Sequence, residues 1–196
     1  MSAQYAVKPP SQMTVEEFLA WDGGGHVGKL ELVEGVVRAM APASATHGMI
    51  QGNIVTAINI HLRARNSPCR AGTEAPIMPP LSRRMNARAP DVSVTYSPPA
   101  DDGTFVDPVL IVEVMSPSNE NETWDSIHAL ASLQSLQEVL VVYSTRVEVQ
   151  AFRRDQGGKW INEPETATST ASVIQLRSIG LELPVTDIYL GTHLEP

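Results

Sequence analysis

The chain has 196 residues, 42% of them hydrophobic, a length and composition that suit one globular domain with a buried core. Its net charge of −8 excludes a general nucleic-acid coating protein, which needs a basic surface to displace counterions, but leaves room for a local basic site. No apolar run approaches the ~20 residues of a membrane span, the N-terminus lacks the apolar core of a secretory signal, and Cys69 is the only cysteine, so a reduced, cytoplasmic setting away from membranes is expected.

Residues 1–12 read as an N-terminal arm. Thr14 and Glu17 fit a capping box for a short helix through Phe18, Leu19 and Trp21, stopped by Gly23, Gly24 and Gly25. Lys29 to Met40 reads as a strand pair turning at Glu34-Gly35. Ser44 or Thr46 can cap the next helix, in which Ile50, Ile54, Ile58 and Leu62 form one buried stripe. Arg70 to Pro79 suits a strand or edge segment, and Asp91 to Tyr96 a short strand. Val109 to Val114 is nearly all apolar, the pattern of a strand covered on both faces. A helix is predicted over Asn121 to Leu136 and a hairpin over Val139 to Phe152. The organisation is therefore an arm (1–12), an α/β domain with a mixed sheet flanked by helices (13–160), and a C-terminal appendage packed on the same domain (161–196).

Charge is unevenly distributed. Between His61 and Pro90 six arginines (Arg63, Arg65, Arg70, Arg83, Arg84 and Arg88) face one acid, Glu74, whereas five acids and Arg177 follow Ile161. The basic stretch suits phosphate, or equally a solvated loop beside a helix end that complements its dipole. Gly23 to Lys29 resembles a phosphate-binding loop, but Leu30 stands where that loop needs Ser or Thr. The helix comes before it and the strand after, the reverse of the required order, so it reads as a glycine-rich connection.

The sharpest feature is Pro90-Asp91 followed by Glu113 inside the run Leu110-Ile111-Val112-Glu113-Val114. A carboxylate in so apolar a strand is costly unless paired, protonated or on a metal. Two carboxylates on neighbouring strands can share a divalent cation, which prefers oxygen ligands.

Pro90-Asp91 and Val112-Glu113-Val114 resemble the PD-(D/E)XK nuclease superfamily. Five ordered motifs sharpen this: Thr14 to Leu19, Leu30 to Gly35, Pro42 to His47, Pro90 to Val94 and Glu113 to Ser118. Together they resemble the Uma-type restriction endonuclease family over about residues 13–155. The resemblance implies a restriction-endonuclease-like core, a metal-dependent endonuclease activity on nucleic acid, DNA above all, magnesium or manganese as cofactor, and a homodimer. It makes Asp91 and Glu113 metal ligands, with the Val114 carbonyl as a third, and adds Glu31 and His47 to the catalytic set. Arg83, Arg84 and Arg88, just before Asp91, are candidates for phosphate contact.

The sequence departs from this pattern at one position. The superfamily lysine lies two residues after the glutamate, on the same face of the strand, and stabilises charge developing on phosphorus. Here that residue is Met115. Many members of the family carry the lysine on the following helix instead. This helix has no basic residue except histidine, only Ser126 and His128 as polar candidates, and Lys8, Lys29 and Lys159 have no evident place near the site. The alternative expectation is therefore a nuclease-fold protein without catalysis, acting as a binding or assembly module.

Overall fold

The computed structural model describes residues 12–26, 28–80 and 83–195, so the expected arm lies almost wholly outside it. Helix α1 (Val15–Ala20) carries the predicted capping box: Thr14 accepts from the Glu17 N–H and Glu17 reaches back to the Thr14 N–H. Strands β1 (Leu30–Val33) and β2 (Val36–Ala39) form the predicted hairpin. Glu34 and Gly35 both have positive φ, 51° and 79°, as a two-residue turn matching the strand twist requires. The hairpin stands outside the main sheet and is fastened to it by reciprocal 3.0 Å bonds between Leu32 and Ala87. That antiparallel bridge, continued along the chain, runs Lys29 alongside Pro90 and Asp91.

Helix α2 (Ala45–Ala64) is capped by Ser44, and Ile50, Ile54, Ile58 and Leu62 are all buried. Burial of each side chain contributes roughly 1.5–3 kcal/mol. The stripe lies on a six-stranded sheet, β3 (Arg70–Thr73), β4 (Val92–Thr95), β5 (Pro108–Met115), β6 (Glu138–Tyr143), β7 (Val149–Arg153) and β8 (Glu165–Ala167), ordered as in the chain. Only β5 and β6 are parallel, and α3 (Glu120–Leu130) makes the crossover between them. Leu110, Val112 and Val114 of β5 face α2, whereas Ile111 and Met115 join Ile127 and Leu130 of α3. The result is a mixed sheet between two helical layers, the architecture expected from the sequence.

Helix α3 is shorter than predicted. Arg154 donates to the carbonyls of Leu136 (2.7 Å), Ala131 (2.8 Å) and Leu133 (3.0 Å), and the Trp160 indole to Ala131 (3.0 Å). These donors satisfy carbonyls at and beyond the helix end, and the chain turns there instead of adding another helical turn. The C-terminal segment is more integral than an appendage. It supplies the edge strand β8, the hairpin of β9 (Val173–Leu176) and β10 (Leu181–Pro184), and α4 (Val185–Ile188). Ile174, Leu176, Ile188 and Tyr189 complete the core beneath α2. Among the described residues no helix is long and apolar enough to cross a membrane.

Candidate active site

The register of β4 against β5 pairs Val92 with Val112, which sets Asp91 opposite Glu113. Both are buried, Asp91 at 3% and Glu113 at 4% exposure. Asp91 is held from several directions. Its Oδ2 accepts the Val114 N–H at 2.7 Å and lies 3.3 Å from His47 Nε2, its Oδ1 lies 3.0 Å from Lys29 Nζ, and its carbonyl accepts from Gln51 Nε2 at 2.8 Å. His47 and Gln51 sit one turn apart on α2, so one helix face grips both the side chain and the main chain of Asp91. His47 Nδ1 lies 3.5 Å from the Ser116 hydroxyl, just beyond β5.

The electrostatics of the two carboxyls diverge. Burial would raise the Asp91 pKa, but the His47 hydrogen bond and the charges of Lys29 and His47 overcome it and bring it to about 2. Burial pushes Glu113 well above the usual carboxylate range; Lys29 opposes this, and repulsion from Asp91 and Glu31 adds to it. Burial would lower Lys29, but Glu113, Asp91 and Glu31 together raise it above its ordinary value.

These groups line one cleft of about 430 Å³, with Lys29, Glu31, His47, Asp91 and Glu113 on one side and Thr123 and Ser126 of α3 completing it. Ser126 is 3% exposed and its hydroxyl has no partner among the described residues. Met115 does not line the cleft; it is buried against Ile111, Ile127 and Tyr143. His128 is exposed, stacked on Trp124 at 6.1 Å, and lines a different cleft.

Lys29 is the residue that sequence reasoning missed. Read as part of a glycine-rich connection, it had no evident place near the carboxylates, yet it lies beside Asp91 and Glu113. The signal was long-range: only the pairing of Leu32 with Ala87 brings the start of β1 to the Pro90-Asp91 segment.

The structure places the three candidate arginines apart from one another. Arg88 is buried with Nη1 3.3 Å from Glu31 Oε2, while Glu31 Oε1 accepts the Ala89 N–H at 3.0 Å. Arg88 therefore pairs with Glu31 and, buried, presents no free face to phosphate, while the Glu31 charge is felt by Lys29 and Glu113. Arg83 lines a separate cleft beside Phe105 and Asp107, and Arg84 is exposed. Arg63 is sixteen residues along α2 from His47, about 24 Å away.

Among the described residues no three His, Cys, Asp or Glu side chains are grouped so as to hold a metal ion. The donor set nevertheless fits a magnesium-type ion, which keeps several waters and needs only one or two carboxylates. Asp91 and Glu113 supply that pair on adjacent strands.

A six-stranded mixed sheet with flanking helices and two carboxylates at one cleft defines a nuclease-like α/β fold. The crystal structure of a "putative nuclease" of the DUF820 group from Anabaena variabilis has this fold. It is 21% identical, with a TM-score of 0.67, over 90% of this chain and 97% of that one. The chain matches the Uma2 family, described as "Putative restriction endonuclease", over residues 15–186, and it belongs to that family. An uncharacterized protein of Synechocystis sp. is 31% identical, over 97% of this chain and 98% of that protein.

Proposed function

We propose that the protein is a divalent-metal-dependent endonuclease that hydrolyses phosphodiester bonds of nucleic acid, with DNA as the expected substrate. The observation that carries this reading is the convergence of Asp91, Glu113 and Lys29 in one cleft. Asp91 and Glu113 would hold magnesium or manganese. When bound, such an ion polarises a phosphoryl oxygen and lowers the pKa of a water.

The remaining work falls to the chain itself. His47 and the Val114 N–H fix the Asp91 carboxylate and Gln51 fixes its main-chain carbonyl, so that the carboxylate is pre-organised rather than mobile. The Arg88–Glu31 strut holds β1 against the Arg88-Ala89 segment and so keeps Lys29 at the cleft. Lys29 supplies the positive charge that Met115 cannot, placed where negative charge develops on a phosphoryl group. The family resemblance makes a homodimer the expected assembly, and sedimentation at micromolar concentration checks it.

Purified protein with manganese should nick supercoiled plasmid, and Asp91→Ala should abolish the nicking. Absence of cleavage across divalent metals with DNA and RNA substrates would reject the reading. It would favour the second one, a nuclease-fold module without catalysis, whose motive is Met115 at the superfamily lysine position. The place of Lys29 weakens that motive, because a cation reaches the carboxylates by another route.

A further inference from the structure

We infer that Lys29 is the resident counter-cation of the Asp91–Glu113 site and that a divalent ion must displace its ammonium from Asp91, so lysine and metal compete for one oxygen. The inference rests on the proposed metal site and adds an order of events to it.

The geometry leaves little choice of oxygen. Asp91 Oδ2 is committed to the Val114 N–H at 2.7 Å and to His47 at 3.3 Å, contacts made by the strand and by α2. Oδ1 has one partner among the described residues, Lys29 Nζ at 3.0 Å. An ion bound by Asp91 with its least rearrangement takes Oδ1, where it and the Lys29 ammonium repel each other at contact distance. Among the described residues Arg88 is taken by Glu31 and His47 lies on Oδ2, which leaves Lys29 as the cation on Oδ1.

Lys29 is built to move without disturbing the fold. Its main chain is held, the Lys29 carbonyl accepting the Met40 N–H at 3.0 Å, while its side chain is a flexible four-carbon stem with a compact ammonium. The cleft of about 430 Å³ gives the displaced ammonium room, and the unpartnered Ser126 hydroxyl lines the same space. Displaced from Asp91 but tethered in the cleft, the ammonium becomes free to meet a phosphate.

The test measures binding rather than cleavage. Calorimetry of Mn²⁺ binding to the full chain should show Lys29→Met binding about tenfold more tightly than wild type, with Lys29→Gln, which keeps a polar tip, also tighter. Asp91→Asn should bind far more weakly. Circular dichroism verifies that each variant is folded. An independent readout uses the lysine count: only Lys8, Lys29 and Lys159 are present, so selective ¹³Cε-lysine labelling gives three signals. The signal missing from Lys29→Met should be the one that moves when wild type is titrated with Mg²⁺. Equal or weaker Mn²⁺ binding by both Lys29 variants, or an unmoved Lys29 signal at saturating Mg²⁺, overturns the competition while leaving the metal site standing. Failure of wild type and Lys29→Met alike to bind either ion, or binding unaffected by Asp91→Asn, overturns the metal site itself.

Discussion

Lys29 Nζ lies 3.0 Å from Asp91 Oδ1 although 62 positions separate them in the chain. The contact joins the loop before a small hairpin to the residue just before a sheet strand, and it brings an ammonium into the cleft. The missing strand lysine is thereby answered from the other side of the pocket. Removing the ammonium with Lys29→Met should cut plasmid nicking about 100-fold, the size of effect seen when one transition-state donor is lost. Ser126 lines the same cleft, so adding Ser126→Lys to Lys29→Met should recover at least a tenth of the lost rate. Nicking assays of the single and double variants measure both effects, and no recovery would separate the two positions functionally.

Acid should weaken the metal-free fold through Asp91. Its folded pKa is lowered to about 2 from 3.8, with His47, Lys29 and Glu113 facing it. Such a group stabilises the native state above its unfolded pKa and loses that contribution as pH falls through its folded value. The contribution is about 2 kcal/mol at neutral pH. Urea unfolding of wild type and Asp91→Asn between pH 2 and 6 should show a gap that closes at the acid end.

Glu113 has the opposite sign. Its folded pKa is raised, chiefly by burial, with Lys29 opposing and Asp91 and Glu31 reinforcing the rise. Its full stability is therefore present below the unfolded value of 4.5 and lost as pH rises through the folded one. In chelator-treated protein at pH 7, Glu113→Gln should raise the urea midpoint. The advantage should vanish below pH 4.5, and the same variant should fail to gain stability when Mn²⁺ is added.

Arg153 is a third test, remote from the cleft. It donates through Nε to Glu138 at 2.6 Å and through Nη1 to Glu165 at 2.7 Å, and Arg153 and Glu138 are both buried. Arg153→Met strands the Glu138 carboxylate and should cost about 3–5 kcal/mol in thermal or urea unfolding. Arg153→Met with Glu138→Leu should return much of that loss, because the carboxylate left behind, Glu165, is only half-buried and keeps Arg177 at 3.9 Å.

Most of the scaffold was legible in the sequence because it is set by local rules. The capping box at Thr14, the isoleucine stripe of α2 and the apolar run of β5 each declare their element through spacing alone. Asp91 and Glu113 were legible for a related reason, since two acids beside apolar strands are conspicuous. What was hidden depends on pairing between distant segments. Lys29 belongs to the cleft only because β1 lies against Ala87, and Arg88 is withdrawn from solvent for the same reason. The end of α3 was misplaced because the donors that satisfy its carbonyls come from Arg154 and Trp160, more than twenty residues away.

Two neighbouring strands each bury a glutamate, and the molecule treats them in opposite ways. Glu138 on β6 meets Arg153, the main-chain N–H groups of Arg177 and Ser178, and the Ser178 hydroxyl, so every demand of its charge is met within the fold. Glu113 on β5 has the Asp91 main-chain N–H and a shared ammonium, but it sits among other acids and its burial is not offset. The first is a settled joint and the second a deliberate imbalance, frustration kept at a single address. Among buried acids of one sheet, the discontented one is where the proposed chemistry falls.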